Sequence, residues 1–91
     1  MDKRQQDEAK LLLVLEATDR ASVYAGASVP DIASVLKQMG HAELRGSSLS
    51  RLLTIARKAG LLEYGPVFDW RCWYLTSAGR AALARKQVSL P

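Results

Sequence analysis

The chain has 91 residues, 48% of them hydrophobic and 24% charged, with a formal net charge of +4 at pH 7. The composition is too apolar for a disordered chain and the length suits one compact domain, which excludes two full domains and an elaborate enclosed active site. The longest apolar run, Leu11–Leu15, is far shorter than the ~20 residues that cross a bilayer, and a lone cysteine, Cys72, excludes an internal disulfide. We therefore expect a cytoplasmic protein without a membrane segment.

Positive charge is concentrated in the second half of the chain. Residues 1–44 carry five basic and seven acidic side chains, whereas residues 45–91 carry eight basic and two acidic ones. Such segregation creates a positive face, and the usual partner of a positive face is a polyanion. The alternative is a basic surface that is merely solvated.

The first helix is predicted over residues 3–20, which contain no Gly or Pro and consist mainly of strong helix formers. Its apolar face consists of Leu11, Val14, Leu15 and Thr18. Leu12 widens this face and Leu13 lies outside it, so the apolar surface is wider than one core contact needs. We therefore predict that the helix also contacts a second copy of the chain, through Leu11 and Leu13.

The second helix is predicted over residues 28–39. Ser28 is placed to cap it, Pro30 is tolerated in its first turn, and Asp31 stands where a capping box has its acid. The apolar positions repeat at i, i+3, i+4 and i+7, as in an amphipathic helix, and are Ile32, Val35, Leu36 and Met39. Gly40 ends this pattern.

The third helix is predicted over residues 47–59, with either Ser47 or Ser48 as its capping residue. Its inward face consists of Leu49, Leu52, Leu53 and Ala56. The opposite face has polar and basic side chains at i, i+3, i+4, i+7 and i+11, namely Ser47, Ser50, Arg51, Thr54 and Lys58. Gly60 is expected just beyond the helix, where a left-handed backbone conformation costs glycine little.

Beyond this glycine the apolar period changes from 3.6 to 2. The change predicts a β-hairpin over residues 61–75, with Gly65–Asp69 as a five-residue loop. The hairpin is rich in aromatic residues, and most of them are expected to fill the core of a small sheet.

Thr76 is placed to cap a last, alanine-rich helix over residues 76–86, and Val88–Pro91 are expected to fray. The expected fold is therefore one α+β domain over residues 1–91. It is mainly α-helical with a small β-hairpin, in the order helix, helix, helix, hairpin, helix.

Two parts of the chain resemble a known family of bacterial regulators. Ser47–Leu53 followed by Ala59–Tyr64 is similar to the recognition helix and first wing strand of winged helix-turn-helix proteins. Trp73–Arg80 is similar to the Y-x-L-T-x-x-G-R signature of their MarR and PadR groups, and the resemblance covers about residues 28–84. It implies a winged-helix fold, a third helix that enters the major groove of double-stranded DNA, and a role as a transcriptional regulator, associated with the nucleoid when bound.

The polar face of the third helix has side chains that suit DNA recognition. Arginine can donate two parallel hydrogen bonds to guanine, hydroxyl groups contact phosphates or base edges, and a helix N-terminus attracts phosphate. The predicted DNA-binding residues are Arg45, Ser47, Ser48, Ser50, Arg51, Thr54, Arg57, Lys58 and Arg71. Two alternatives stay open: a helix face that is merely solvated, and a cross-strand pair between Arg71 and Glu63.

The expected oligomeric state follows from the size of the domain. One domain this small covers only a short DNA half-site, so stable specificity favours a homodimer on a palindromic site. Catalysis is not expected, because His41 and Cys72 are the only residues of their types and neither has a neighbouring partner in the sequence. We therefore expect no enzymatic activity, no metal and no cofactor.

The alternative function is a winged-helix module that binds another protein. The wing tip, Pro66–Asp69, is apolar and acidic, and an exposed Phe68 there would suit a protein contact. A third function, binding of single-stranded nucleic acid, would depend on stacking of bases on Trp70 or Tyr74.

Overall fold

The computed structural model describes residues 3–22, 26–67 and 70–88. Within these ranges it has four helices and a two-stranded antiparallel sheet, which are α1 (Lys3–Ala21), α2 (Val29–Gln38), α3 (Gly46–Lys58), β1 (Leu62–Val67), β2 (Trp70–Leu75) and α4 (Ser77–Arg85). The mainly helical α+β class and the order helix, helix, helix, hairpin, helix are confirmed. The predicted bounds of the helices differ from these by no more than one residue at either end.

Helix α1 is the centre of the fold, because it packs against α2, α3, α4 and β2. Its buried residues are Leu11, Val14, Leu15, Ala17 and Thr18, so the predicted apolar face is confirmed. The buried hydroxyl of Thr18 donates a hydrogen bond of 2.7 Å to the carbonyl oxygen of Val14, which satisfies a polar group that would otherwise be costly to bury.

The wide apolar surface of α1 is used within the protein. Leu11 has no exposed surface, so the prediction that it contacts a second copy is wrong: neighbouring elements of the same chain surround it. Leu12 and Leu13 are partly buried and pack against the same core. Of the two predicted dimer contacts, only Leu13 retains surface that a partner could touch.

Helix α2 begins as its sequence predicts. The Ser28 hydroxyl accepts a hydrogen bond of 3.3 Å from the backbone N–H of Asp31, and Pro30 lies in the first turn, where its missing N–H costs nothing. Ile32 and Leu36 are fully buried, whereas Val35 and Met39 pack at the edge of the core.

The connection between α2 and α3 is ordered by a buried leucine. Leu44 lies two residues before α3 with only 3% of its surface exposed, and its backbone N–H donates to the carbonyl oxygen of His41. The His41 N–H in turn donates to the carbonyl oxygen of Leu36, at the end of α2. A segment longer than a tight turn is thus attached to the core close to the start of α3.

Helix α3 buries the face that its leucines predict, since Leu49, Leu52, Leu53 and Ala56 are all buried. Its C-terminal end also agrees with the prediction. Gly60 has a φ of 78°, and the N–H of the buried Leu61 donates to the carbonyl oxygen of Ala56.

Strand β1 is longer than its sequence predicts, within a hairpin of nearly the predicted extent. Strand pairing continues through Gly65↔Cys72, Pro66↔Arg71 and Val67↔Trp70, so the predicted five-residue loop is wrong and most of it is strand. Pro66 can occupy this position because a two-stranded sheet has only edge strands, where one missing N–H is tolerated. Residues 68 and 69, with the Phe68 of the predicted tip, lie outside the described residues.

A third segment pairs with the hairpin through one residue. The N–H of Ala27 donates to the carbonyl oxygen of Trp73 over 2.8 Å, and the N–H of Trp73 donates back over 2.9 Å. This bridge joins the chain just before α2 to the middle of β2. The short strand considered for residues 23–25 lies outside the described residues.

Helix α4 is capped by Thr76, as predicted. The Thr76 hydroxyl accepts from the N–H of Gly79 over 3.0 Å and donates to the carbonyl oxygen of Gly60 over 2.5 Å, so one side chain joins the helix start to the end of α3. The helix ends at Arg85, and the residue that follows, Lys86, has a left-handed φ of 54°. Val88, expected to fray, is instead buried in the core.

Candidate nucleic-acid interface

Helix α3 divides into a buried face and an exposed face. Opposite the buried leucines, all the polar and basic residues predicted to bind DNA are exposed: Ser47, Ser48, Ser50, Arg51, Thr54, Arg57 and Lys58. One helix surface thus presents hydroxyl groups and three cations to solvent. These are groups that can donate hydrogen bonds to phosphate oxygens and to base edges in the major groove.

The start of α3 differs from the prediction, since neither serine caps it. The helix begins at Gly46, and the capping position belongs to Arg45, whose side chain makes no capping hydrogen bond. Gly46 has a left-handed φ of 58°, so the chain turns into the helix before the serines. Ser47 and Ser48 are therefore second and third in the helix, too late for a residue that must precede it.

One hydroxyl on the exposed face is already engaged. The Thr54 hydroxyl donates a hydrogen bond of 2.9 Å to the carbonyl oxygen of Ser50, one turn earlier in α3. The proton of this hydroxyl is therefore held by the helix backbone, while the lone pairs of the oxygen remain able to accept.

Arg51 is held by a residue of another helix. Its Nη2 donates to Oδ1 of Asp7 over 2.9 Å and its Nη1 donates to Oδ2 over 3.4 Å, so the carboxylate of α1 bonds the guanidinium through both oxygens. The Asp7 side chain is only 13% exposed, whereas that of Arg51 is 48% exposed. Arg51, which is predicted to contact a base, is therefore half exposed while the largely buried carboxylate of Asp7 holds its guanidinium group.

The ion pair changes the acidity of both groups. The hydrogen bond from Arg51 holds the pKa of the Asp7 carboxyl below its ordinary value, and Lys3 and Lys10 add to this effect by their charge. The hydrogen bond to Asp7 raises the pKa of Arg51. A carboxyl with a depressed pKa stabilises the fold at neutral pH, and its contribution is lost as the pH falls through that folded-state value.

Arg57 also has an acidic partner. Its Nε donates a hydrogen bond of 3.1 Å to Oε1 of Glu63, which lies at the start of the hairpin. The same oxygen accepts from the N–H of Tyr64 over 3.0 Å. Arg57 is therefore partly neutralised, and Glu63 links the end of α3 to β1.

This arrangement contradicts the alternative in which Arg71 pairs with Glu63. The strand register places Arg71 opposite Pro66 and Glu63 opposite Tyr74, so the two charges are several residues apart along the ladder. The side chain of Arg71 is exposed on β2.

Three predicted cations have no anionic partner within the described ranges. They are Arg45, Lys58 and Arg71, all of them exposed, and they lie just before α3, at its last residue and on β2. Cations that no carboxylate neutralises are the most available to phosphate groups.

Sequence reasoning missed Asp7, the residue that holds Arg51. Nothing local predicts the contact, because the two residues are 44 positions apart. The signal that was present is the spacing of Lys3, Asp7 and Lys10, which places an acid between two bases on one face of α1.

The exposed aromatic surface lies at the end of the hairpin. Trp70 is 77% exposed, whereas the other large hydrophobic side chains in the described part of the chain are buried or half-buried. Trp73, by contrast, packs at the edge of the core, with its ring centroid 5.1 Å from that of Tyr64. Cys72 is a buried thiol beside it.

The described residues contain neither a cluster of metal ligands nor a membrane-spanning helix. Among residues 3–22, 26–67 and 70–88, no three His, Cys, Asp or Glu side chains are grouped so as to hold a metal ion. None of the described helices combines the length and the apolar character needed to span a bilayer.

Comparison with protein-family models, with curated proteins and with solved structures finds no match to the chain.

Proposed function

We propose that the chain is a winged helix-turn-helix protein that binds double-stranded DNA by placing α3 in the major groove, as a small transcriptional regulator. The observation that carries the proposal is the exposed face of α3, where serine, threonine, arginine and lysine side chains stand opposite a fully buried leucine face. The order of elements and the hairpin that follows α3 support it.

Each group on this face has a role in the proposed complex. Arg51 reads a guanine, the hydroxyl groups of Ser47, Ser50 and Thr54 contact base edges or phosphates, and Ser48 contacts a phosphate near the helix start. The flanking cations bind phosphates on both sides of the groove, and they are Arg45, Arg57, Lys58 and Arg71.

The charge pattern predicts how binding depends on salt. Three cations that have no acidic partner among the described residues, with partial contributions from Arg51 and Arg57, correspond to about three to five phosphate contacts per protomer. Release of counterions then gives a plot of log affinity against log salt concentration with a slope of about −3 to −5 per protomer.

The test is a fluorescence-anisotropy titration of a labelled random duplex at several salt concentrations, followed by selection of a preferred site. We expect Arg51→Ala to lower affinity for the selected site by about 1–3 kcal/mol and to relax the preference at one base pair. Arg85→Ala, which removes the same charge from an exposed position on α4, is the matched control and should change little. Absence of duplex binding at low salt would refute the proposal.

A second candidate function rests on the exposed Trp70. A tryptophan that is 77% exposed at the end of a hairpin suits the centre of a protein contact, since such residues often dominate binding energy. If the protein is an adaptor or an inhibitor of another factor, Trp70→Ala abolishes binding to that factor and Arg51→Ala does not.

A third function, binding of single-stranded nucleic acid, is tested by titration with a single-stranded oligonucleotide. In that case Trp70→Ala and Tyr74→Ala both lower the affinity for the oligonucleotide.

A further inference from the structure

The bond between Asp7 and Arg51 occupies one defined edge of the guanidinium group. Both hydrogen bonds come from the terminal nitrogens, Nη1 and Nη2, which form the end-on edge of the group. A guanidinium has five N–H donors in one plane, and its side-on edge consists of Nε–H and the second hydrogen of Nη2. Within the described ranges, no acceptor bonds to that edge.

The free edge has the geometry that guanine requires. Guanine presents O6 and N7 side by side in the major groove, and a planar pair of N–H donors matches them with two parallel hydrogen bonds. An unrestrained arginine on a helix surface samples many rotamers, and most of them point the pair of donors elsewhere. A carboxylate that holds the other edge reduces this freedom before DNA is met.

We propose that Asp7 is a positioning residue for base recognition: it holds Arg51 by the end-on edge so that the side-on edge is presented to a guanine. This inference rests on the proposed function, since it assumes that α3 enters the major groove. It adds a residue of α1 to the determinants of specificity, although Asp7 itself touches no base.

The carboxylate has two opposite effects on DNA binding. Its negative charge repels phosphates, so it weakens binding to every sequence, and Lys3 and Lys10 beside it limit this repulsion. Its hold on Arg51 strengthens binding only where a guanine stands opposite. Removal of the carboxylate should therefore lower discrimination between sites while leaving affinity for a random duplex equal or higher.

The test is parallel in-vitro selection from a pool of random duplexes with the wild type, Asp7→Asn, Arg51→Ala and Asp19→Asn. Asp19 is the matched control because it makes a similar charge change on the same helix, where it faces Arg80 of α4 rather than α3. Asp7→Glu and the double variant Asp7→Asn/Arg51→Ala are selected in the same way, and thermal melts of every protein verify that it is folded. Competition titrations then compare the selected duplex with one in which a single guanine is replaced.

We expect Arg51→Ala and Asp7→Asn to lose the same guanine preference, with discrimination reduced by about tenfold. Asp19→Asn should keep it, and Asp7→Glu should restore part of it because a carboxylate is again available. In an Arg51→Ala background, Asp7→Asn should cause no further loss of discrimination, since its effect passes through Arg51.

The failure of this inference differs from that of the proposed function. If Arg51→Ala loses the preference and Asp7→Asn keeps it or sharpens it, Asp7 is only a competitor for Arg51 and the positioning role is refuted. The same holds if Arg51→Ala changes no guanine preference. If the wild type enriches no duplex sequence, sequence-specific binding itself is refuted and the inference falls with it.

Discussion

Gly79 stands where two parts of the backbone meet. A Cβ added at this position would collide with the carbonyl oxygen and carbon of Leu61, which are main-chain atoms that no side-chain rotation can move. The N–H of Gly79 also donates the capping hydrogen bond to the Thr76 hydroxyl oxygen. The threonine and the glycine of the Trp73–Arg80 motif therefore have physical reasons for their spacing. Thr76 caps α4, and Gly79 lets the first turn of α4 approach the backbone of Leu61, just before β1.

We expect Gly79→Ala to destabilise the protein by about 2–3 kcal/mol, because the fold must shift to relieve the collision. The measurement is the free energy of unfolding in urea. Gly65→Ala is the matched control, since its added Cβ would meet nothing closer than the Tyr74 hydroxyl at 3.8 Å, and it should change stability by less than about 1 kcal/mol. Equal stability of the two variants would contradict this account.

Local sequence signals predict most of the elements and fewer of the contacts between them. The caps at Ser28 and Thr76 are predictable because each involves a backbone N–H three residues away. The buried face of α3 is predictable because the period of a helix alone determines it. The start of α3 is not, because the left-handed turn at Gly46 displaces the serines from the capping position.

Contacts across the fold account for what sequence reasoning missed at the candidate site. The exposed face of α3 was foreseen, but Arg51 has its partner on α1 and Arg57 has its partner on β1. Leu11 was assigned to a dimer because the number of elements around α1 cannot be read from its own residues. Helix periodicity gives the width of an apolar surface and not the identity of what covers it.

At the scale of elements, the orientation of α3 depends on the segment that precedes it. Leu44 is the buried member of this segment, and it fixes the path of the chain between α2 and α3. We expect Leu44→Ala to destabilise the protein by about 2–4 kcal/mol, as buried leucines commonly do. The measurement is the free energy of unfolding in urea. The control is Ala42→Ser at an exposed position of the same segment, which should change this free energy by less than about 0.5 kcal/mol. A silent Leu44→Ala would mean that the segment is not anchored by this side chain.

At the scale of the whole molecule, we expect two copies to associate through the outer side of α1. Leu13 is the remaining candidate, since it is partly buried within its own chain and retains accessible surface. In sedimentation velocity the wild type should be a dimer and Leu13→Glu a folded monomer, because a charge in an apolar contact is costly to bury. Ser34→Glu adds the same charge to an exposed position on α2 and should leave the dimer intact. A monomeric wild type would refute association.

The bridge between Ala27 and Trp73 has a mechanical consequence for the hairpin. A hairpin attached only at its base can bend along its full length. This hairpin is also bridged near its middle, because Ala27 bonds to Trp73, which pairs with Tyr64. Among the described residues, three residue pairs lie beyond the bridge, and a ribbon bends less as its unsupported length shortens. Trp70 belongs to the outermost of these pairs, so its position relative to the helices depends on a short unsupported stretch of the hairpin rather than on its full length.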